Sequence, residues 1–156
     1  MGLMNMCRRE VVWVWRGTAA REVAKLMEKN NVGCVVVIEE DSMLKPIGLV
    51  TDRDILIRVM NRGLDPDNTP IDDVMTKEVI ALRENMGLLE ALEYVKGKGI
   101  RRFPIVGVDG NLKGIITLDD ILFLLGKEMS DVASIIEKEG SFGIKTERDL
   151  FSLWQA

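Results

Sequence analysis

Histidine is absent from the chain, cysteine occurs twice, proline four times, and aromatic residues make up only 5%. Each shortage excludes something. Without histidine there is no imidazole base, no Ser-His or Cys-His nucleophile pair and none of the commonest metal ligand, so ordinary hydrolase chemistry is not expected. Cys7 and Cys34 stand alone without Cys-x-x-Cys spacing, which argues against a disulfide framework and a zinc site. No apolar run approaches the roughly 18 residues of a membrane span, and Arg8 and Arg9 precede only Val11 to Trp15, too short for a secretory signal. A net charge of −4 argues against a broad basic face that neutralises nucleic-acid phosphates, while a local basic site stays open. The expectation is a cytoplasmic protein with no membrane and no nucleic-acid partner.

What is present is an ordinary globular mixture, 47% apolar and 29% charged, in 156 residues. That is about one domain's worth, enough to bury roughly 68–70% of the chain's surface. The chain is also repetitive. GLVTDRDI, Gly48 to Ile55, returns as GIITLDDI, Gly114 to Ile121, with glycine, two aliphatics, threonine, aspartate and isoleucine in the same places. A repeated unit of this size usually needs its neighbour to close a core.

The elements fall in the same order in both halves. Met1 to Cys7, rich in methionine and without clear period, is expected to be a poorly fixed start. A strand follows at Glu10 to Val14, then a helix capped by Thr18 with Val23, Ala24, Leu26 and Met27 on one face. Cys34 to Ile38 is a β-branched run of the kind covered on both faces, Glu39 to Ser42 a polar turn, and Ile47 to Thr51 the partner strand. A helix from Asp52 to about Arg62 is expected to face inward with Ile55, Leu56, Val59 and Met60, and Gly63 stops it. Residues 65–71, with Pro66, Asn68 and Pro70, read as the linker.

Residues 72–127 then repeat the order: a strand at Val79 to Leu82, a helix with Leu88, Leu89, Leu92 and Val95 inward, strands at Phe103 to Val106 and Leu112 to Thr117 around an Asp109-Gly110 turn, and a last helix after Thr117. The offset between halves is 66 at the helix starts and 68 at the middle strands, Val32 matching Ile100. Residues 128–156 form a C-terminal helix and a tail whose Leu150, Phe151, Leu153 and Trp154 are suited to burial or to a second subunit. Trp13 and Trp15 share one strand face, where core or subunit contact is preferred over base stacking. The fold class is therefore α/β (α+β), two β-α-β-β-α repeats related by a pseudo-two-fold axis, the first occupying residues 1–64.

This arrangement resembles a tandem pair of CBS domains, the Bateman module. Beyond the repeat itself, Asp73-Val74-Met75-Thr76 looks like the family's D-x-M-T opening, and Ile100 to Val106, IRRFPIV, looks like its I-R-R-L-P-V strand. The resemblance implies a non-enzymatic regulatory module that binds adenosine-containing ligands such as AMP, ADP or ATP between the repeats, with no required cofactor. It implies a homodimer, helix to helix, with Leu56, Met60, Leu122, Phe123 and Leu125 as candidate contacts, and an unknown regulated protein. S-adenosylmethionine or NAD are further ligands the resemblance allows.

Residue by residue, the resemblance makes Asp54 and Asp120 the ribose acceptors and Thr51 and Thr117 their companions. Arg101 and Arg102 become phosphate contacts, the backbone at Thr76, Ile80 and Ala81 purine contacts, and Arg53 a further cation. The chemistry is compatible, since an ionised aspartate accepts from two adjacent hydroxyls and a guanidinium pairs phosphate oxygens in a fork. Thr-x-x-Asp before an apolar run is also a capping box, and the two roles do not exclude each other. Arg101 and Arg102 point to opposite faces of a strand, so only one can face a given pocket. The first repeat has Gly33 and Cys34 in their place, so the clefts are not equivalent, and with a matching opening and arginine strand in the second repeat the weight is expected nearer Asp120. The rivals are a structural dimerisation module with empty clefts, and a magnesium-dependent enzyme using Asp52, Asp54, Asp119 and Asp120, for which no activated nucleophile can be named.

Overall fold

The run Cys34–Ile38 has no polar face to give to water, and it forms the middle of a three-stranded sheet in which Val35, Val36, Val37 and Ile38 are wholly buried. The computed structural model describes residues 2–40 and 43–139. Strands β1 (Trp13–Trp15), β2 (Cys34–Ile38) and β3 (Pro46–Thr51) lie in that order, β1 parallel and β3 antiparallel to β2. The helix α1 (Ala20–Asn30) links the first two and buries Ala20, Val23 and Met27. A second sheet repeats the design with β4 (Leu82–Arg83), β5 (Arg102–Val106) and β6 (Leu112–Thr117), linked by α3 (Leu88–Val95). Both antiparallel pairs slip register at the same place, Val37/Ile38 and Ile105/Val106. The fold is the mixed α and β, two-repeat architecture the sequence implies.

After β3 the chain turns into α2 (Asp52–Asp54) and continues as a π-helical stretch, Ile55–Met60. Its inward stripe is Ile55 and Val59, whereas Leu56 and Met60, one position round, are 62% and 64% exposed. The expected four-residue inner face is thus half of one. In α3 the fully covered residue is Ala91, and Leu89 is exposed. Thr18 does not cap α1. Ala19 takes the cap position, and the Thr18 hydroxyl donates to the Trp15 carbonyl at 2.7 Å. Trp13 and Trp15 meet edge to face, with Trp15 exposed rather than in the core.

The feature that positions the site is an exchange. The segment leading into the second repeat packs on the first, where Ile71, Val74 and Met75 join Val35, Val37 and Val50 in one core. Fully burying a side chain such as Ile71 contributes roughly 1.5–3 kcal/mol, so this segment is fixed there. Thr76 pairs with Leu49 of β3 through backbone hydrogen bonds of 3.1 and 2.8 Å. Reciprocally, the segment leading into the first repeat lies on the second: the Leu3 amide donates to the Met86 carbonyl, and Arg8 pairs with Ile115 of β6 at 2.9 Å in both directions.

The expected loose start is therefore a short 3-10 turn, Leu3–Asn5, with Leu3 fully buried. The exchange explains the repeated glycines. A methyl on Gly48 would overlap the Sδ of Met75, and one on Gly114 would stand 2.8 Å from the Cys7 Sγ and 3.0 Å from the Arg8 carbonyl oxygen.

The last helix, α4, runs Leu118–Glu139. Within it Leu122, Phe123, Met129 and Val132 are exposed. No helix among the described residues is long and apolar enough to cross a membrane. The polar-turn residues Asp41 and Ser42 and the tail residues Leu150, Phe151, Leu153 and Trp154 lie outside the described residues.

Candidate functional site

Each repeat ends its last strand on a threonine that starts a helix, and the two turns are built alike. The Thr51 amide and hydroxyl both donate to Asp54 Oδ2, at 2.9 and 2.8 Å, and the Asp54 amide returns a bond to the Thr51 oxygen at 3.2 Å. The Thr117 amide and hydroxyl donate to Asp120 Oδ2 at 3.0 and 2.7 Å, and the Asp120 amide returns one at 3.1 Å. The capping-box reading is therefore realised in both turns. It occupies one carboxylate oxygen and leaves Oδ1 for another donor.

What surrounds the two Oδ1 atoms differs. Asp54 has Arg58, four residues along its own helix, at 3.4 Å. Arg58 also donates to the Val74 carbonyl at 2.6 Å, which ties it to the lead-in segment. Asp120 has Arg8, which comes from the opposite end of the unit and donates to Oδ1 at 3.0 Å. Burial alone would raise the Asp120 carboxyl, but hydrogen bonds from Thr117 and Arg8 outweigh it and hold the group below the ordinary carboxylate range.

A cavity of about 260 Å³ opens at the first turn, just under the roughly 300–1,000 Å³ usual for small-molecule sites. Thr51, Arg53 and Asp54 line one side, Thr76, Glu78 and Ile80 of the lead-in another, and Ile100, Arg101 and Arg102 a third. Seven of the ten residues singled out from sequence thus converge on one cavity. Thr117 and Asp120 sit at the other turn, and Ala81 lies beside the cavity without lining it. The second repeat's arginines face the first repeat's turn rather than their own, because the lead-ins cross and this cavity takes walls from both repeats. The other five lining residues, Cys34, Leu49, Glu78, Gly99 and Ile100, were not among those singled out from sequence. The extended spacing Thr76, Glu78, Ile80 along one face was the available signal.

Charge in this cavity is uneven. Arg101 is ion-paired with Asp119 at 2.8 Å. Among the described residues Arg53 and Arg102 have no ion pair, so two cations stand uncommitted at one opening. The Arg102 guanidinium lies near Gly33, where a side chain would meet its Nη2 at an ordinary 3.6 Å and the Asp52 Oδ2 at a tighter 3.2 Å. Cys34, also on the cavity wall, is neutral: burial pushes its thiol up to about 11, with Arg102 opposing and Asp54 and Asp52 adding to the shift.

One residue lining the cavity, Ile80, has a backbone acceptor without a donor among the described residues. In the first sheet the Val36 amide donates to the Val12 carbonyl at 3.0 Å. The place of Val36 in β5 is held by Pro104, which has no N–H, so the Ile80 carbonyl accepts no hydrogen bond among the described residues. The missing bond also explains why β4 is one residue shorter than β1. No cluster of His, Cys, Asp or Glu suited to a metal ion occurs among the described residues.

Two three-stranded repeats with exchanged lead-ins, and a cleft walled by both, define a paired-repeat module. The model of the CBS domain matches residues 3–61 and 71–127, and the chain belongs to that family as a tandem CBS pair. Among curated relatives, an uncharacterised protein of Methanopyrus kandleri is 39% identical over 118 residues, 76% of this chain and 59% of its own. The CBS domain-containing protein YhcV of Bacillus subtilis is 38% identical over 112 residues, 72% of this chain and 76% of its own. The chain thus spans about three-fifths of the Methanopyrus relative's length. Among solved structures, a CBS domain protein of Pyrobaculum aerophilum complexed with AMP superposes with a TM-score of 0.69 at 27% identity, covering 77% of this chain and 89% of that one.

Proposed function

We propose that the chain is a non-enzymatic regulatory module that holds an adenosine-containing ligand, an adenine nucleotide such as AMP, ADP or ATP, in the cavity at Asp54. The observation that carries the reading is the convergence on one cavity of a carboxylate, two guanidinium groups with no ion pair among the described residues, and a residue whose carbonyl has no donor among them. Asp54 Oδ1 accepts from the ribose hydroxyls, the Ile80 carbonyl accepts from the exocyclic amine of adenine, and Arg102, helped by Arg53, pairs the phosphate. The Pyrobaculum relative in complex with AMP supports the ligand class. Because a ligand shifts an equilibrium only by favouring one state, the output is a change in assembly or in the hold on a partner protein. The exposed Leu56 and Met60 are proposed as homodimer contacts, and so, separately, are Leu122, Phe123 and Leu125 on α4.

Glu78 on the same wall favours a second reading, a cationic adenosyl compound such as S-adenosylmethionine, whose sulfonium an acid attracts. Calorimetric titration with AMP, ATP and S-adenosylmethionine separates them. Saturable heat with AMP or ATP supports the first reading and preference for S-adenosylmethionine the second. No heat and no melting shift with any would overturn both in favour of an interaction module with empty clefts.

A further inference from the structure

We infer that the second cleft, the one at Asp120, is closed from within by the chain's own Arg8 and Val36, so that each chain offers one adenosine site rather than two. The inference rests on the reading that the Asp54 cleft takes an adenosine, and extends it to why its twin does not. Pseudo-symmetry places Arg8, Val12 and Val32 around the second cleft where Thr76, Ile80 and Ile100 stand around the first. A cavity of about 690 Å³ is lined there by Arg8, Val12 and Val32, but neither Thr117 nor Asp120 lines it.

Both groups that would recognise an adenosine are already used. Asp120 Oδ2 is held by Thr117, and its Oδ1, the atom for a ribose hydroxyl, accepts from Arg8 at 3.0 Å. The Val12 carbonyl, counterpart of the free Ile80 carbonyl, accepts from the Val36 amide. These two closures are independent: one is a side-chain ion pair, the other a strand hydrogen bond present because β2 carries valine where β5 carries Pro104. A ligand entering this cleft must break both, and an aspartate already bonded to a guanidinium gains little from exchanging it for neutral hydroxyls. The contact at Asp54 is different in kind, since Arg58 reaches it along the helix and does not line the cavity.

The test is a count of bound adenosine by equilibrium dialysis on the full chain, for the wild type, Arg8→Thr, and Arg8→Thr with Val36→Pro. The replacements copy the residues at the equivalent places of the open cleft. The expected result is one adenosine for the wild type and one more for the double variant, the added site lost again when Asp120→Asn is included. If Val36→Pro prevents folding, seen as loss of the cooperative melt, Arg8→Thr alone is expected to gain a weaker second site, because Arg8 is an exposed residue whose removal leaves the core intact. A wild type that binds two, or folded variants that gain nothing over it, would overturn the closure. A wild type that binds none while the variant gains an Asp120-dependent site would instead overturn the assignment at Asp54 and keep the closure.

Discussion

Around Asp54 the opposing strand brings Arg102 and the lead-in brings Thr76; at the matching positions around Asp120 the chain has Cys34 and Arg8. The Thr-Asp turns themselves are nearly superimposable in their hydrogen bonds, so the difference between the clefts is not in the repeated motif. It lies in what the crossing segments deliver. A duplicated unit here keeps its cap, its glycine and its strand register, and diverges where the two copies meet.

The sharpest way to break the comparison is to exchange the two acceptors. Asp54→Asn should lower AMP affinity by about 100-fold, the scale of a charge-assisted hydrogen bond near the top of its range. Asp120→Asn should leave affinity within error while lowering stability much as Asp54→Asn does. Calorimetry and melting curves check both, and equal affinity loss in the two variants would contradict the assignment.

Next comes the arginine strand. Arg102→Ala should weaken AMP about 10-fold more than it weakens adenosine, whereas Arg101→Ala, whose guanidinium is paired with Asp119, should show a smaller difference. Similar losses for adenosine and AMP would count against phosphate recognition there. The glycines test the exchange. Gly48→Ala and Gly114→Ala should each destabilise by about 1–3 kcal/mol, the usual cost of forcing atoms into a filled contact. Denaturant unfolding measures it, and an unchanged midpoint would show that Met75 or Cys7 moves aside freely.

The smallest effect concerns pH. Asp120 is held below its ordinary value, so its contribution to stability is complete above the unfolded-state value and is lost as pH falls through the folded one. Arg8→Thr should move that loss to higher pH. The shift should be modest because Arg8 is 68% exposed and screened by water and salt. Carboxyl titration by NMR would read it directly.

Much of this was legible in the chain. GLVTDRDI and GIITLDDI announce the turns, and the β-branched Cys34–Ile38 announces a buried strand, because these are local patterns with local physical causes. The grouping of Arg101 and Arg102 with Asp120 was not legible in the right form. Sequence proximity pairs the arginine strand with its own repeat, and only the tertiary crossing of Met75-Thr76 onto β3 brings it to Asp54. The consequence of Pro104 was hidden for a similar reason: it is a missing donor, felt by a carbonyl 24 positions earlier at Ile80. Leu56 and Met60 were read inward because helical spacing tells which residues share a face, not how wide a stripe the sheet covers.

The exchanged lead-ins also bear on how the protein is made. Arg8 leaves the ribosome 112 residues ahead of Asp120, an interval on the order of ten seconds at ordinary synthesis rates. Through that time the first sheet can pair its own strands, but Leu3 has no partner until Met86 emerges and Arg8 none until β6 does. Contacts so distant in sequence form slowly. The closing of the second cleft therefore falls into two stages, the Val36–Val12 bond forming with the first sheet and the Arg8–Asp120 pair among the last events of folding.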